Sequence, residues 1–182
     1  MKPVKIGLLP LYVKLYDECL SWMRPKVEKY HADVAEKLRS YGLDVMTSPI
    51  CRLEDEFRQA IKSFEEGGAE VLVTLHLAYS PSLQSEKPLK ECRLPIVILD
   101  TTPDFEFRPE GSTEGIDYDH GIHGVQDMCN LLIRNGKKFR IFAGHYIESD
   151  VCRRVADCAR AYASANALSE ARVGIIGEPF AG

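Results

Sequence analysis

Short β-branched apolar runs alternate with segments of helical periodicity, and this alternation limits the possible folds more than any other feature of the chain. Six runs have strand character, at residues 4–9 (VKIGLL), 43–47 (LDVMT), 70–75 (EVLVTL), 94–99 (LPIVIL), 139–143 (FRIFA) and 172–176 (RVGII). Several are almost continuously apolar, as is typical of strands covered by helices on both faces. Such alternation indicates βαβ units. We therefore predict an α/β protein with a single doubly wound, mostly parallel sheet flanked by helices, of the flavodoxin or Rossmann type.

Helical segments between these runs are marked by apolar side chains that recur on one face. Three of them cover residues 53–64, 122–133 and 151–162. Gly67-Gly68 follows the first segment and supplies a C-terminal stop. Residues 13–40 also have helical character, but Pro25 breaks or kinks a helix at its position, so two helices are expected there.

Length and composition are those of a globular α/β protein. We assign residues 1–182 to a single domain, with 45% hydrophobic and 27% charged residues. A formal net charge of -4 argues against non-specific binding to nucleic acids or anionic membranes, which requires clustered positive charge. The chain has no apolar run of membrane-spanning length, no signal-peptide pattern and no CxxC pair among its six cysteines. These features predict a cytoplasmic protein with reduced thiols.

Polar and aromatic side chains gather where the predicted strands end. They include Tyr12, His76, Tyr79, Asp100, His120, His123 and His145. Open parallel sheets bind ligands outside the carboxyl ends of their strands, so four of the five histidines are expected near one rim. The polar segment at residues 100–119 reads as a long loop that leads to this rim, and loops of that length are more often functional than accidental.

The four rim histidines form two pairs, and each pair has its own interpretation. His76 and His145, each taken alone, are interpreted as hydrogen-bonded structural residues. His120 and His123 lie within residues 119–124 (DHGIHG), where glycines allow a backbone to approach a ligand closely and a helix start offers free N–H donors. Neutral imidazoles suit sugar hydroxyls because each ring donates one hydrogen bond and accepts another. A zinc site is an alternative, although the spacing matches no compact ligand pattern.

The sequence lacks the motifs of several common nucleotide-binding and hydrolase classes. There is no GxGxxG after the first strand, no GxxxxGK[ST] and no GxSxG. Asp100 and Asp104 are close enough in sequence to form a carboxylate pair, but aspartates in loops more often cap turns. No catalytic residue and no metal ligand is therefore assigned to this chain.

Four segments together resemble the L-fucose and L-arabinose isomerase family. They are residues 7–12 (GLLPLY), 74–81 (TLHLAYSP), 119–127 (DHGIHGVQD) and 143–146 (AGHY), and they span almost the whole chain in order. The third looks like the segment that carries the family's substrate-binding histidine. Residues 8–10 (LLP) depart from the arabinose pattern, which is more polar there, so the resemblance selects no one sugar.

The resemblance implies a three-domain sugar isomerase of which this chain is the N-terminal domain. In that family the first domain reaches into the active site of a neighbouring subunit in a trimer or hexamer and helps to bind the sugar. The ligands for manganese and the acid–base carboxylates belong to later domains. By family position Leu11, Tyr12, His120 and His123 are candidates for sugar contacts, and His76 joins them from the rim. The chain also ends soon after the sixth predicted strand, without a closing helix, which fits a longer protein.

Two alternatives remain open at this point. The chain could be a stand-alone small-molecule module that binds a sugar without any further domain. It could also be a complete enzyme that uses the rim histidines with Asp100 or Asp104 for acid–base chemistry, although no motif sets up that geometry.

Overall fold

Five parallel strands form one sheet in the order β2-β1-β3-β4-β5. The structure is a computed structural model, and it describes residues 2–106, 113–174 and 176–177. The strands are β1 (Lys5–Leu11), β2 (Asp44–Thr47), β3 (Val71–His76), β4 (Ile96–Asp100) and β5 (Phe139–Ala143). The predicted doubly wound, parallel α/β class is confirmed.

Helices cover both faces of the sheet. They are α1 (Lys14–Cys19), α2 (Met23–Ser40), α3 (Glu54–Glu66), α4 (Ser82–Glu91), α5 (Thr113–Tyr118), α6 (Gly121–Arg134) and α7 (Val151–Glu170). The buried side chains of α2 and α7 pack against one face of the sheet, whereas those of α3, α4 and α6 pack against the other face. Within the described residues, no helix is both long enough and apolar enough to cross a membrane.

Strand order reverses between β1 and β3, because the chain runs outward from β1 to β2 and then crosses back to β3. At such a switch point the connections leave neighbouring strands toward opposite faces and open a crevice at the carboxyl ends. Here Tyr12 and α1 follow β1, while Tyr79 and α4 follow β3. The fold therefore places the predicted rim residues of these two connections side by side.

The predicted sixth strand is wrong. Residues 172–174 and 176 have no strand structure, and Val173 is 90% exposed; residue 175 lies outside the described residues. The reason is the length of α7, whose last buried residue is Ala163 although the helix continues to Glu170. At 1.5 Å per residue the exposed end carries the chain about 10 Å past its packed part, so the following residues do not reach the edge of β5.

Other boundaries differ from the sequence pattern. Residues 13–40 do form two helices, but the break lies before α2, and Pro25 sits in the first turn of that helix, where a missing N–H is tolerated. Helix α4 was not predicted, and it contains Pro88. The expected loop at residues 100–119 contains α5, and its residues 107–112 lie outside the described part.

Candidate functional site

A group of six side chains, which we call the switch-point cluster, lies at the carboxyl ends of β1 and β3. Its members are Tyr12, Tyr16, Tyr79, Asp117, His120 and His123. They come from the end of β1, from α1, from the connection after β3, from α5 and from the start of α6. Distant parts of the sequence thus contribute to one surface at the point where the strand order reverses.

Ring contacts and one hydrogen bond join the cluster residues into two groups, and electrostatic interactions of Tyr79 with Tyr16 and of Asp117 with His120 relate the groups to each other. Tyr12 and Tyr16 meet edge to face with centroids 5.9 Å apart, and Tyr16 Oη donates to Asp117 Oδ1 at 3.5 Å. The His120 ring lies 5.6 Å from that of Tyr79 and 4.3 Å from that of His123. Aromatic edges and faces at these distances attract one another, so the cluster holds its rings in fixed relative positions.

Burial favours the uncharged forms of Tyr12, Tyr16 and His120. It raises the pKa of Tyr12 and Tyr16, and Asp17 and Asp117 respectively reinforce that rise by repelling a phenolate. Burial also lowers the pKa of His120, and nearby His123 lowers it further. His120 is therefore a neutral imidazole at physiological pH, with one donor nitrogen and one acceptor nitrogen.

Two polar atoms of the cluster are buried and have no hydrogen-bond partner among the described residues. They are Tyr12 Oη and His120 Nδ1. Buried polar atoms in folded proteins nearly always have partners, and an orphaned one requires an explanation. Both atoms are shielded from solvent, so a molecule with hydroxyl groups would pair with them only after neighbouring side chains move.

His76 lies beneath the first turn of α6 and is enclosed, as Tyr12 is. Its side chain is only 2% exposed, and both ring nitrogens lack hydrogen-bond partners. Burial lowers its pKa to about 3. The glycines expected to approach a ligand, Gly121 and Gly124, approach His76 instead: a Cβ atom on Gly124 would lie 2.6 Å from His76 Cδ2.

The other predicted sugar contacts at the end of β1 are also enclosed. Leu11 has no exposed surface and packs with the core side chains of α3 and α6. Its carbonyl oxygen accepts a hydrogen bond from the amide of Leu77. Tyr12 is equally enclosed but carries the unpaired hydroxyl described above. A sugar contact from Leu11 would require movement of the core, whereas one from Tyr12 requires access to a single atom.

His145 occupies a separate place at the ends of β4 and β5. Its Nδ1 accepts hydrogen bonds from the amides of Ile147 and Glu148 at 3.3 and 3.2 Å, while Nε2–H donates to the carbonyl of Pro103 at 3.3 Å. These three bonds fix the tautomer and use both nitrogens. Of the four rim histidines, His120 and His123 therefore meet in the cluster, His76 lies under it, and His145 holds two loops together.

The carboxylates of the predicted loop are arranged differently from the expected pair. Asp104 approaches Asp119, whose Oδ1 accepts a hydrogen bond from the Asp104 amide at 3.2 Å. Burial raises the pKa of Asp119, whereas the hydrogen bond from the Asp104 amide lowers it and the charge of Asp104 raises it. Burial also raises the pKa of Asp100, which stands at the end of β4. Asp119 thus replaces Asp100 as the neighbour of Asp104.

An ion-pair network beside the cluster was missed from the sequence. Arg24 and Arg52 both bind Asp17, at 3.0 and 2.7 Å, and Arg52 also binds Glu56 at 2.6 Å. This network anchors α1, and so Tyr16, to the starts of α2 and α3. Tyr16 and Asp117 were missed as well; Tyr16 lies four residues after Tyr12, and that spacing was the only available signal.

A metal centre is not formed by the residues that the structure describes, since no three His, Cys, Asp or Glu side chains among them are placed to hold an ion. His120 and His123 are adjacent rings, but they do not gain a third ligand of suitable geometry. The described residues do not fit a manganese site, so no chemical step is assigned to a metal held by them.

The fold and the cluster define a doubly wound α/β protein with a histidine- and tyrosine-lined surface at its switch point. No protein-family model matches the chain, and no curated protein matches it. Among solved structures, type B ribose 5-phosphate isomerase of Leishmania infantum is similar at 9% identity and a TM-score of 0.34, over 90% of this chain and 99% of that one. That protein is a sugar isomerase, but similarity at this level carries no argument about activity.

Proposed function

We propose that this chain is the sugar-recognition domain of an aldose–ketose isomerase of the L-fucose and L-arabinose type. In this proposal the switch-point cluster contacts the sugar. The carrying observation is that Tyr12 Oη and His120 Nδ1, both buried and unpaired, belong to one cluster at the reversal of strand order. Hydroxyl groups of a sugar both donate and accept, so one ligand satisfies a phenol and an imidazole together.

The composition of the cluster suits a sugar ring or an open-chain sugar. Aromatic side chains offer an apolar surface for C–H groups and, in tyrosine, a polar tip. Histidine and tyrosine side chains then select the positions of the hydroxyl groups. Binding sites of this kind combine apolar walls with a few placed polar groups that fix orientation.

Charge favours a neutral sugar over a phosphorylated one. Two carboxylates lie at the cluster. Asp117, one of its members, accepts a hydrogen bond from Tyr16, and Asp127 accepts one from Tyr79. Arg24 and Arg52, which belong to the ion-pair network beside the cluster, are already paired with Asp17. Because carboxylates repel a phosphate group, we expect D-ribose 5-phosphate to bind more weakly than an unphosphorylated pentose or deoxyhexose.

In the complete protein, this domain would orient the substrate while later domains perform the proton or hydride movement between C1 and C2. A divalent ion such as manganese, held by those domains, would polarise the carbonyl and hydroxyl oxygens of the sugar. The residues of this chain bind and orient the substrate only.

Exposed apolar side chains support a second part of the proposal, that this rim faces another subunit of a homo-oligomer. They are Leu15, Ile116 and Ile122, each adjacent in sequence to a cluster residue.

A binding experiment tests the proposal on the chain itself. Calorimetric or NMR titration with L-fucose, L-arabinose and D-ribose should give saturable binding to at least one sugar, and His123→Ala should abolish most of it. Asn130→Ala is the matched control because Asn130 is an exposed residue on the same helix, away from the cluster. If all three sugars fail to bind, or if the two variants bind alike, the cluster is not a sugar site.

An activity measurement separates the recognition domain from the complete enzyme. The chain is assayed for aldose–ketose conversion with and without added Mn²⁺. Our proposal expects sugar binding without turnover. Turnover by the chain alone would instead favour an enzyme that uses Asp100 or Asp104 with the rim histidines.

A further inference from the structure

The first turn of α6 approaches the sheet closely at two glycines, Gly121 and Gly124, and both lie against His76. A Cβ atom on Gly121 would lie 3.2 Å from the His76 carbonyl oxygen and 3.3 Å from its Cβ. A Cβ atom on Gly124 would lie 2.6 Å from His76 Cδ2 and 2.9 Å from Nε2. A side chain at either position would push the helix away from the histidine, so glycine at both positions allows this close packing.

The same turn carries the two histidines of the cluster. His120 and His123 each precede one of these glycines, so they project about 100° around the helix from the face that meets His76. Ser82 Oγ donates to the Gly124 carbonyl at 3.4 Å and ties the turn to α4 as well. The depth and rotation of this turn therefore decide where both imidazoles stand relative to Tyr79.

Among the described residues, the contacts that hold the His76 ring are packing contacts. It is almost fully buried, and neither ring nitrogen has a hydrogen-bond partner in the described structure. An apolar side chain of the same size would pack without the cost of burying two unpaired nitrogens. The imidazole thus acts on its surroundings through its flat shape, which fills the space under the glycines.

We propose that His76 is a positioning residue: its ring, seated against Gly121 and Gly124, sets the location of His120 and His123 in the switch-point cluster. A methyl group at position 124 must move from 2.6 Å to an ordinary carbon–carbon contact near 3.6 Å, which displaces the turn by about 1 Å. The sugar role of His120 and His123 rests on the proposed function, whereas their placement by His76 does not.

The test compares Gly124→Ala with the double variant Gly124→Ala/His76→Ala, in which removal of the ring relieves the two closest contacts of the methyl group and leaves only its 3.1 Å approach to the Ser80 amide nitrogen. The matched control is Gly115→Ala, since Gly115 is also helical and has no atom near its added Cβ. The readout is the ring ¹H–¹³C NMR signals of His120 and His123 at neutral pH. They report ring currents from each other and from Tyr79, and they need no ligand.

We expect Gly124→Ala to shift both histidine signals and Gly115→Ala to leave them in place. The double variant should shift them less than Gly124→Ala does, because the methyl group then takes up part of the space that the ring has left and supports the turn in its place. If Gly124→Ala does not fold, Gly121→Ala, which creates a milder contact, replaces it. A folded glycine variant with unshifted signals, or a double variant without recovery, would overturn the proposal.

Sugar affinity provides a second and separable readout. Where a sugar binds, Gly124→Ala should weaken it by about tenfold or more, equivalent to about 1.4 kcal/mol, and the double variant should recover part of that loss. Failure of every sugar to bind removes the proposed function but leaves the NMR test intact. Unshifted histidine signals in a chain that binds sugar remove only the positioning role.

Discussion

Two buried histidines make the stability of this protein depend on pH between neutrality and mild acid. Burial lowers the pKa of His76 to about 3 and that of His31 to about 4, from an ordinary value of 6.5. In the unfolded chain both residues bind a proton as the pH falls through 6.5, whereas the folded state stays unprotonated there. The free energy of unfolding is therefore greatest above pH 6.5 and falls as the pH decreases toward 4.

The size of the effect follows from these pKa values. Each pH unit inside the window costs about 1.4 kcal/mol for each histidine that only the unfolded state protonates. Between about pH 7.5 and pH 5 the loss is about 2 kcal/mol for each of the two residues, or about 4 kcal/mol together. Against a typical total of about 5–15 kcal/mol, this loss is readily measured.

The assay is urea unfolding at the two pH values, followed through the fluorescence of Trp22, the single tryptophan, and through far-UV circular dichroism. His76→Leu should lose about 2 kcal/mol less than the wild type between the two pH values, because one buried imidazole is gone while His31 and His120, whose pKa values are also lowered, remain. Asn130→Ala, at an exposed residue of α6, is the control and should lose as much as the wild type.

Other groups do not obscure the comparison. Burial raises the pKa of Asp100 and Asp119, so these carboxyls favour the folded state as the pH falls through the raised values. Both remain in the wild type and in His76→Leu, and the difference between the two proteins cancels them. If His76→Leu and the wild type lose the same free energy between the two pH values, the assigned state of His76 is wrong.

Three further outcomes are expected. Arg52→Ala should lower the free energy of unfolding by about 1–2 kcal/mol, because it removes one of two guanidinium groups bound to the partly buried Asp17; denaturant unfolding with and without high salt measures it. Trypsin should cut after Arg172, which follows the unpacked end of α7, before it cuts within α2 or α3, as mass spectrometry of timed digests will show. Cys19 should react with a thiol reagent fastest in the native state, with Cys51 protected by burial that raises its pKa to about 11; equal rates would contradict the packing.

The fold was predictable because apolar periodicity is a local property. Continuous apolar runs such as that of β3, buried along its whole length, indicate a strand with helices on both sides. The run at residues 172–176 carries a similar local signal, yet no strand forms in its described residues. Pairing requires an edge within reach, and the overhang of α7 past Ala163 puts the edge of β5 out of reach.

The candidate site was predictable only in outline. Strand ends and glycines indicated the rim, and His120 and His123 do meet there. No sequence pattern distinguishes His145, whose ring nitrogens are bound to Pro103 and to the backbone of its own turn. Those bonds depend on how two loops meet, which no local pattern encodes.

What the sequence by itself determined is the order and type of most of the elements, and the placement of histidines near strand ends. Both follow from side-chain periodicity along a few turns or residues of chain. The tertiary structure alone decided that Tyr16 and Asp117 join the cluster and that Gly121 and Gly124 close over His76. The reason is physical: these contacts join side chains from elements far apart in sequence, and their distances are set by how helices settle on the sheet.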